Sequence, residues 1–178
     1  MNYTGKLNMI LGCMFSEKTS HLLTRFMRYK RASKKCLLVK FKNDTRYADL
    51  ELVTHNGVRA PAVSCLLLED IDKLVSEYDV ICIDEIQFFL DAPTYCDKFA
   101  NMGKIVEVCG LNGNSKREPW DIISKLIPMA EDILFLKAVC EKTGNDAIYS
   151  KRIVANDQEV LIGGAEAYCA VDRQTYFN

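Results

Sequence analysis

The sequence predicts an α/β fold, a P-loop parallel sheet flanked by helices, followed by a small β-rich C-terminal lobe. Three observations carry that prediction. Short apolar runs alternate with helix-periodic segments up to about residue 136. The octapeptide from Gly12 to Thr19 joins the first apolar run to the first helical segment with the spacing of a phosphate-binding loop. Beyond residue 136 the helical pattern gives way to short strand-like pieces between polar turns.

The elements follow in order. Lys6 to Leu11 (KLNMIL) reads as a strand leading into the loop. Leu22, Leu23, Phe26 and Met27 recur at helical spacing, which predicts a helix from Lys18 to Ala32. Cys36 to Phe41 (CLLVKF) is strand-like, and THNG, Thr54 to Gly57, is a hairpin signal. Cys65 to Tyr78 reads as largely helical, with Leu66, Leu67, Leu68, Ile71, Leu74 and Val75 as its apolar side. Val80 to Asp84 (VICID) is a short run of the buried-strand type. Ala92 to Met102 can form a helix, Ile105 to Cys109 another strand, and Trp120 to Leu126 a short helix. Ile133 to Leu136 closes the sheet. AIYSKRIV and EVLIGG are the strand-like pieces of the remainder. This divides the chain into a nucleotide-binding α/β domain, 1–136, and a lobe, 137–178, too short for its own core and packed against the first part.

Composition narrows the class. At 178 residues, 49% hydrophobic and 26% charged, the chain is an ordinary globular domain. A net charge of −1 argues against a whole-surface grip on nucleic acid. No run of eighteen apolar residues occurs, so no membrane span is expected, and the N-terminus lacks the pattern of a signal peptide. The eight cysteines form no C-x-x-C pair, and several lie in apolar runs, which points to reduced, buried thiols in a cytoplasmic setting. His21 reads as a surface or packing residue, and Trp120, after Pro119, as a ring buried under its loop. The basic cluster Arg25, Arg28, Lys30, Arg31, Lys34 and Lys35 reads as a solvated helix face.

The loop residues are Gly12, Cys13, Met14, Phe15, Ser16, Glu17, Lys18 and Thr19. In such a loop the turn's N–H groups and the helix N-terminus face phosphate, lysine reaches the β- and γ-phosphates, and the hydroxyl serves Mg²⁺. Lys18 and Thr19 hold the last two positions. Glu17 stands where the pattern has its second glycine. A left-handed backbone there would cost a non-glycine residue about 1–2 kcal/mol. Its carboxylate would also repel phosphate, or sit in the anion site itself. An ordinary first-turn acid is the other reading of Glu17.

The second chemical feature is Val80-Ile81-Cys82-Ile83-Asp84-Glu85. An apolar run that ends in acids places carboxylates at the carboxyl edge of a sheet, where ligands of open α/β sheets bind. Asp84 suits Mg²⁺, directly or through water. Glu85 can accept a proton from a substrate hydroxyl. Two solvated acids closing a strand is the alternative.

Several stretches, in order, resemble the type II thymidine kinases, the cellular cytosolic, bacterial and poxvirus-type enzymes. DEIQFF, Asp84 to Phe89, resembles their DE-x-QFF element, and GCMFSEKTS their GPMFSGKST loop. NDTRY, Asn43 to Tyr47, resembles a D-x-R-Y segment, and LNGNSKREPW, Leu111 to Trp120, resembles LDGTFQRKPF. YSKR and IGGAEAY resemble the later YTKR and IGGADKY. The resemblance implies phosphoryl transfer from ATP to the 5′-hydroxyl of thymidine or a related deoxynucleoside. It makes Glu85 the general base, Arg46 a catalytic cation, and Thr19 with Asp84 the Mg²⁺ ligands. It gives the nucleoside Met14, Phe88, Leu111, Ser115, Ser150 and Tyr168, under a lasso-like loop of the C-terminal lobe between Tyr149 and Tyr168. It also implies a cytoplasmic homotetramer that binds neither nucleic acid nor membrane.

Departures fall on functional positions. Ser115 replaces a phenylalanine of the family motif, and Glu118 a lysine. Of four family zinc-ligand positions, Cys140 is kept and the others are Thr143, Asp172 and Thr175, so no structural zinc is expected. Two readings stay open: an active divergent kinase, or a catalytically impaired relative that binds nucleotide, nucleoside or a partner.

Overall fold

A computed structural model of the chain describes residues 5–43, 51–53, 57, 59–155 and 163–178. Its centre is a six-stranded sheet in the order β5-β2-β6-β7-β1-β8. The strands are β1 Lys6–Gly12, β2 Cys36–Phe41, β5 Val63–Cys65, β6 Val80–Ile83, β7 Ile105–Leu111 and β8 Asp132–Leu136. Every pairing in this sheet is parallel. The strands between the edges are buried on both faces, which is why they read as unbroken apolar runs.

One face carries Leu7, Met9, Leu11, Ile81, Ile83, Val106 and Val108. It packs against α3 (Ala92–Asn101) and α4 (Asp121–Leu126) through Cys96, Phe99, Ile122, Ile123 and Leu126. The other face meets α1 (Lys18–Arg31) through Leu22, Leu23 and Phe26, which rest on Ile10, Leu38, Val80, Cys82 and Cys109. Arg28, Lys30 and Arg31 fill the last turn of α1, where cations complement the helix dipole.

A polar tether fixes α1 across this second face. Glu107, 1% exposed, accepts hydrogen bonds from Asn8 Nδ2 at 2.8 Å, Arg25 Nη1 at 2.6 Å and the Tyr29 hydroxyl at 2.8 Å. Burial, and then the Glu107 carboxylate, push the Tyr29 phenol well above its ordinary range. Arg25 is therefore an anchor, whereas Arg28, Lys30, Arg31, Lys34 and Lys35 are exposed as expected.

Three two-stranded antiparallel ribbons complete the described residues. They are β3 Glu51–Val53 with β4 Arg59–Pro61, β9 Ala138–Val139 with β10 Asp146–Ala147, and β11 Tyr149–Arg152 with β12 Tyr168–Val171. The last two ribbons and the turn after β9 carry Ala138, Cys140, Ala147, Ala170 and Val171, whose cluster includes Cys13 of the loop, and α5 (Arg173–Phe177) packs Tyr176 against it.

The expected helix from Cys65 to Tyr78 is the main correction. Cys65 ends β5, Leu68–Ile71 forms a 3-10 turn, and only Asp72–Val75 (α2) is α-helical. The Asp91 carboxylate takes the Leu68 and Glu69 N–H groups at 3.1 and 2.9 Å, starting the turn from a distant segment. Of the apolar side, Leu68, Ile71 and Val75 are buried, while Leu66, Leu67 and Leu74 are exposed. The strand expected at EVLIGG, and the THNG turn with His55, lie outside the described residues except for their glycines.

Candidate active site

The register of the sheet builds the site. Gly12 pairs with both Leu111 and Leu136, and Ile83 pairs with both Val39 and Val108. The carboxyl ends of β1, β6 and β7 therefore share one edge, where the loop, the acid pair and the 111–120 segment emerge. A cavity of about 900 Å³ opens there.

Between β1 and α1 the chain makes a tight turn. A Cβ on Gly12 would sit 2.4 Å from Ser16 Oγ and 2.7 Å from the Leu136 carbonyl oxygen, so only glycine fits. Phe15 and Glu17 both have left-handed backbones, with φ of 64° and 62°. The Ser16 hydroxyl and the Lys18 ammonium both donate to the Cys13 carbonyl, at 2.7 and 2.8 Å. Lys18 is 8% exposed and lines the cavity. The strain expected at position 17 is thus present. The carboxylate of Glu17 is not folded into the anion cradle, because it accepts a hydrogen bond from the Ser20 hydroxyl on the exposed first turn of α1.

The acid pair sits across the cavity floor. Asp84, 5% exposed, accepts from the Thr19 hydroxyl and from the Cys109 thiol, the latter at 2.7 Å. Burial and then Asp84 push the Cys109 thiol well above its ordinary range, so it stays an S–H donor. Glu85 follows with a left-handed backbone, φ 53°, and is half-buried. Gln87, 3% exposed, donates from Nε2 to Glu85 Oε2 at 2.7 Å. Thr19 and Asp84 offer hard oxygen donors, the set that suits Mg²⁺.

The cavity gathers most of the residues the sequence singled out. Met14, Phe15, Glu17, Lys18, Thr19, Asp84 and Glu85 line one side. Phe88, Leu111, Ser115, Ser150 and Tyr168 line the other. Gly12, Cys13 and Ser16 shape the turn from behind. Arg46 lies outside the described residues. His21 is exposed on α1 and not in the cavity.

Sequence reasoning missed Gln87, Cys109, Lys40 and the full part of Trp120. Lys40, 4% exposed, lines the cavity from β2. Trp120 lines it too, rather than lying wholly beneath the loop, with its ring edge-on to Phe88 at 5.7 Å. An aromatic wall therefore stands near Ser115, whose own carbonyl is held by the Tyr176 hydroxyl at 2.8 Å.

The C-terminal segment is fastened to the loop. The Met14 N–H donates to Ser150 Oγ at 3.0 Å, and the Cys13 thiol to the Ala147 carbonyl at 3.3 Å. Where the resemblance has zinc ligands, Asp172 accepts from the Thr143 hydroxyl at 2.6 Å, Asn145 Nδ2 at 3.1 Å and the Thr175 N–H at 2.8 Å. The Cys140 thiol lies 3.5 Å from the Thr175 hydroxyl, and the hydroxyls of Thr143 and Thr175 lower it to about 7. Among the described residues, no three His, Cys, Asp or Glu side chains cluster as metal ligands do.

A parallel sheet whose first strand turns through a lysine-bearing loop into a helix, with an acid pair at a neighbouring strand end, defines a P-loop nucleotide-binding α/β protein. Comparison with known proteins refines that class. The thymidine kinase family model matches residues 5–176. Thymidine kinase 1 of Dictyostelium discoideum is 44% identical over 97% of this chain and 78% of its own. The thymidine kinase of raccoon poxvirus is 41% identical over 98% of each chain, and the human cytosolic thymidine kinase 39% identical over 97% of this chain and 74% of its own. The chain belongs to the thymidine kinase family and is an enzyme of that family. Among solved structures, domain III of the Thermotoga maritima replication initiation protein DnaA has a TM-score of 0.43 at 16% identity, over 76% of this chain and 56% of that one.

Proposed function

We propose that the protein transfers the γ-phosphoryl group of ATP to the 5′-hydroxyl of thymidine or a related deoxynucleoside. The observation that carries this is a shared cavity. The loop residues Lys18 and Thr19 face the same space as Glu85 and the walls made by Phe88, Leu111, Trp120 and Tyr168. The names of the relatives support the choice of nucleoside.

In this reading the loop backbone and Lys18 hold the phosphates of ATP. Thr19 and Asp84 would hold Mg²⁺, which when bound offsets negative charge on the phosphate oxygens. Glu85 accepts the proton of the 5′-hydroxyl. The freed oxygen bonds to the γ-phosphorus as the bond to the β-phosphate oxygen breaks, and ADP leaves. Arg46, on the resemblance alone, would stabilise charge on the transferring group. The apolar walls exclude water, which otherwise competes as acceptor.

Residues 137–178 would act as a separate lobe that covers the nucleoside, a reading supported by Ser150 and Tyr168 at the cavity wall. The resemblance further points to a homotetramer, to be read by light scattering. A cytoplasmic site of action is supported by the human relative being the cytosolic enzyme.

Purified protein with ATP, Mg²⁺ and thymidine is expected to release ADP, and Lys18→Ala to lose about 100-fold or more of that rate. No turnover above the Lys18→Ala control overturns the kinase reading in favour of a fold-retaining, nucleotide-binding relative.

A further inference from the structure

Gln87 is a buried polar side chain at this edge of the sheet that the proposed reaction leaves without a part. We infer that Gln87 is a positioning residue that aims the Glu85 carboxylate at the acceptor hydroxyl. This rests on the reading of Glu85 as the general base.

The geometry is a two-point tether. Gln87 Oε1 accepts the Leu111 N–H at 3.1 Å, and Nε2 donates to Glu85 Oε2 at 2.7 Å. A backbone N–H can only donate and a carboxylate only accepts, so the amide has one orientation. Leu111 has a free side because β6 pairs with β7 only as far as Val108. On its other side the next N–H, that of Asn112, donates to the Gly12 carbonyl. The Gln87 amide thus takes the place of a missing strand neighbour and fixes itself to the sheet.

Two further features serve this contact. Glu85 holds a left-handed backbone, φ 53°, which turns the chain so that residue 87 reaches back to residue 85. Gly110 leaves room for the amide: a Cβ there would lie 2.6 Å from Gln87 Oε1 and 2.9 Å from Ile86 Cγ2. A glutamate on a two-carbon stem has several rotamers, and a base misplaced by about 1 Å costs roughly 100-fold in rate. Gln87 holds one rotamer against the sheet.

Steady-state kinetics with ATP, Mg²⁺ and thymidine test this. Gln87→Met keeps the length and loses both contacts. Gln87→Glu keeps an acceptor for the Leu111 N–H and loses the donor toward Glu85. Gly110→Ala leaves Gln87 and Glu85 unaltered in sequence and displaces the amide by placing a Cβ 2.6 Å from its Oε1. All three are expected to lower kcat, Gln87→Met by about 100-fold, with KM for both substrates nearly unchanged. In a Glu85→Gln background, Gln87→Met is expected to cost nothing more, because the tethered base is already gone. Thermal melts report which variants are folded, and Gln87→Glu, the isosteric change, serves if Gln87→Met is not. A Gln87→Glu kcat equal to wild type, or a rise in KM at constant kcat, overturns the inference. If Glu85→Gln itself turns over like wild type, the general-base reading falls. If Glu85→Gln is inactive while the Gln87 variants match wild type, only the positioning role falls.

Discussion

The Thr19 hydroxyl donates to both oxygens of Asp84, at 3.2 and 3.3 Å, and so bridges the first turn of α1 to the end of β6. The Cys109 thiol supports the same carboxylate from β7. Three elements of the sheet edge therefore converge on one pair of hard oxygens. Asp84→Asn keeps the shape and removes the charge. It is expected to lower turnover by about 100-fold and to raise the Mg²⁺ concentration needed for half-maximal rate. A magnesium titration of the variant checks this; an unchanged half-maximal concentration would remove Asp84 from the proposed Mg²⁺ ligands.

Glu17 tests how an acid is tolerated in a phosphate loop. Its backbone is left-handed, and its carboxylate engages Ser20 on the exposed side of the helix start. Glu17→Gly relieves the backbone strain and adds flexibility to the unfolded chain, for a net gain of about 0.5–1 kcal/mol in stability. The charge of Glu17 sits beside the loop but in water, where salt would screen its repulsion of a bound phosphate. The affinity for an ATP analogue is expected to rise modestly, and the gain to shrink as salt is added. Calorimetric titrations at low and high salt read this directly. A salt-independent gain would point to a steric rather than an electrostatic fault.

Much of this was legible in sequence for a physical reason. Buried parallel strands are apolar on both faces, so β1, β2, β6 and β7 stand out as short continuous runs. The loop and the acid pair are local patterns placed at strand ends, and a sheet edge must bring strand ends together. Cys109 carries no such local pattern, and Gln87, though inside DEIQFF, has only its nearer partner, Glu85, close by in sequence. Their distant partners, Leu111 and Asp84, lie 24 and 25 residues away and meet them only through sheet register. The segment from Cys65 to Tyr78 failed because Leu68, Ile71 and Val75 have helical spacing, yet its start is fixed by Asp91 from another element. The signal for α5 was present, since Asp172 and Thr175 have N-cap spacing and Asp172 does cap that helix.

The tether at Glu107 predicts an asymmetry between variants. Arg25→Met leaves a buried carboxylate with two neutral donors, Asn8 and Tyr29, and no cation at 2.6 Å. Glu107→Gln removes the charge and keeps a polar group of the same size. Arg25 is a quarter exposed, so the full cost of stranding a buried charge is discounted to about 2 kcal/mol for Arg25→Met. Denaturant unfolding should place Glu107→Gln closer to wild type. A larger loss for Glu107→Gln would mean that its hydrogen bonds, rather than charge compensation, hold α1 to the sheet.

Asp172 makes the stability of the C-terminal segment depend on acid. Its carboxylate accepts from the Thr143 hydroxyl first, then from the Thr175 N–H and Asn145, and these bonds hold it well below the usual carboxylate range. A group whose folded pKa is depressed contributes stability above its unfolded pKa, about 3.9 for aspartate, and loses it as pH falls toward the folded value. The contribution is thus complete at neutral pH and fades below about pH 4. It joins the turn after β9, which carries Thr143, to the start of α5, so its loss should loosen Tyr176 and with it the Ser115 carbonyl at the cavity. Asp172→Asn is expected to melt a few degrees lower at neutral pH, with the gap to wild type narrowing as pH drops below about 4. Thermal melts of both proteins across that range decide it. Curves that stay parallel would mean that the Thr143 and Thr175 contacts hold a neutral acid as well as a charged one, and that the corner is fixed by packing of Cys140, Ala170 and Val171 instead.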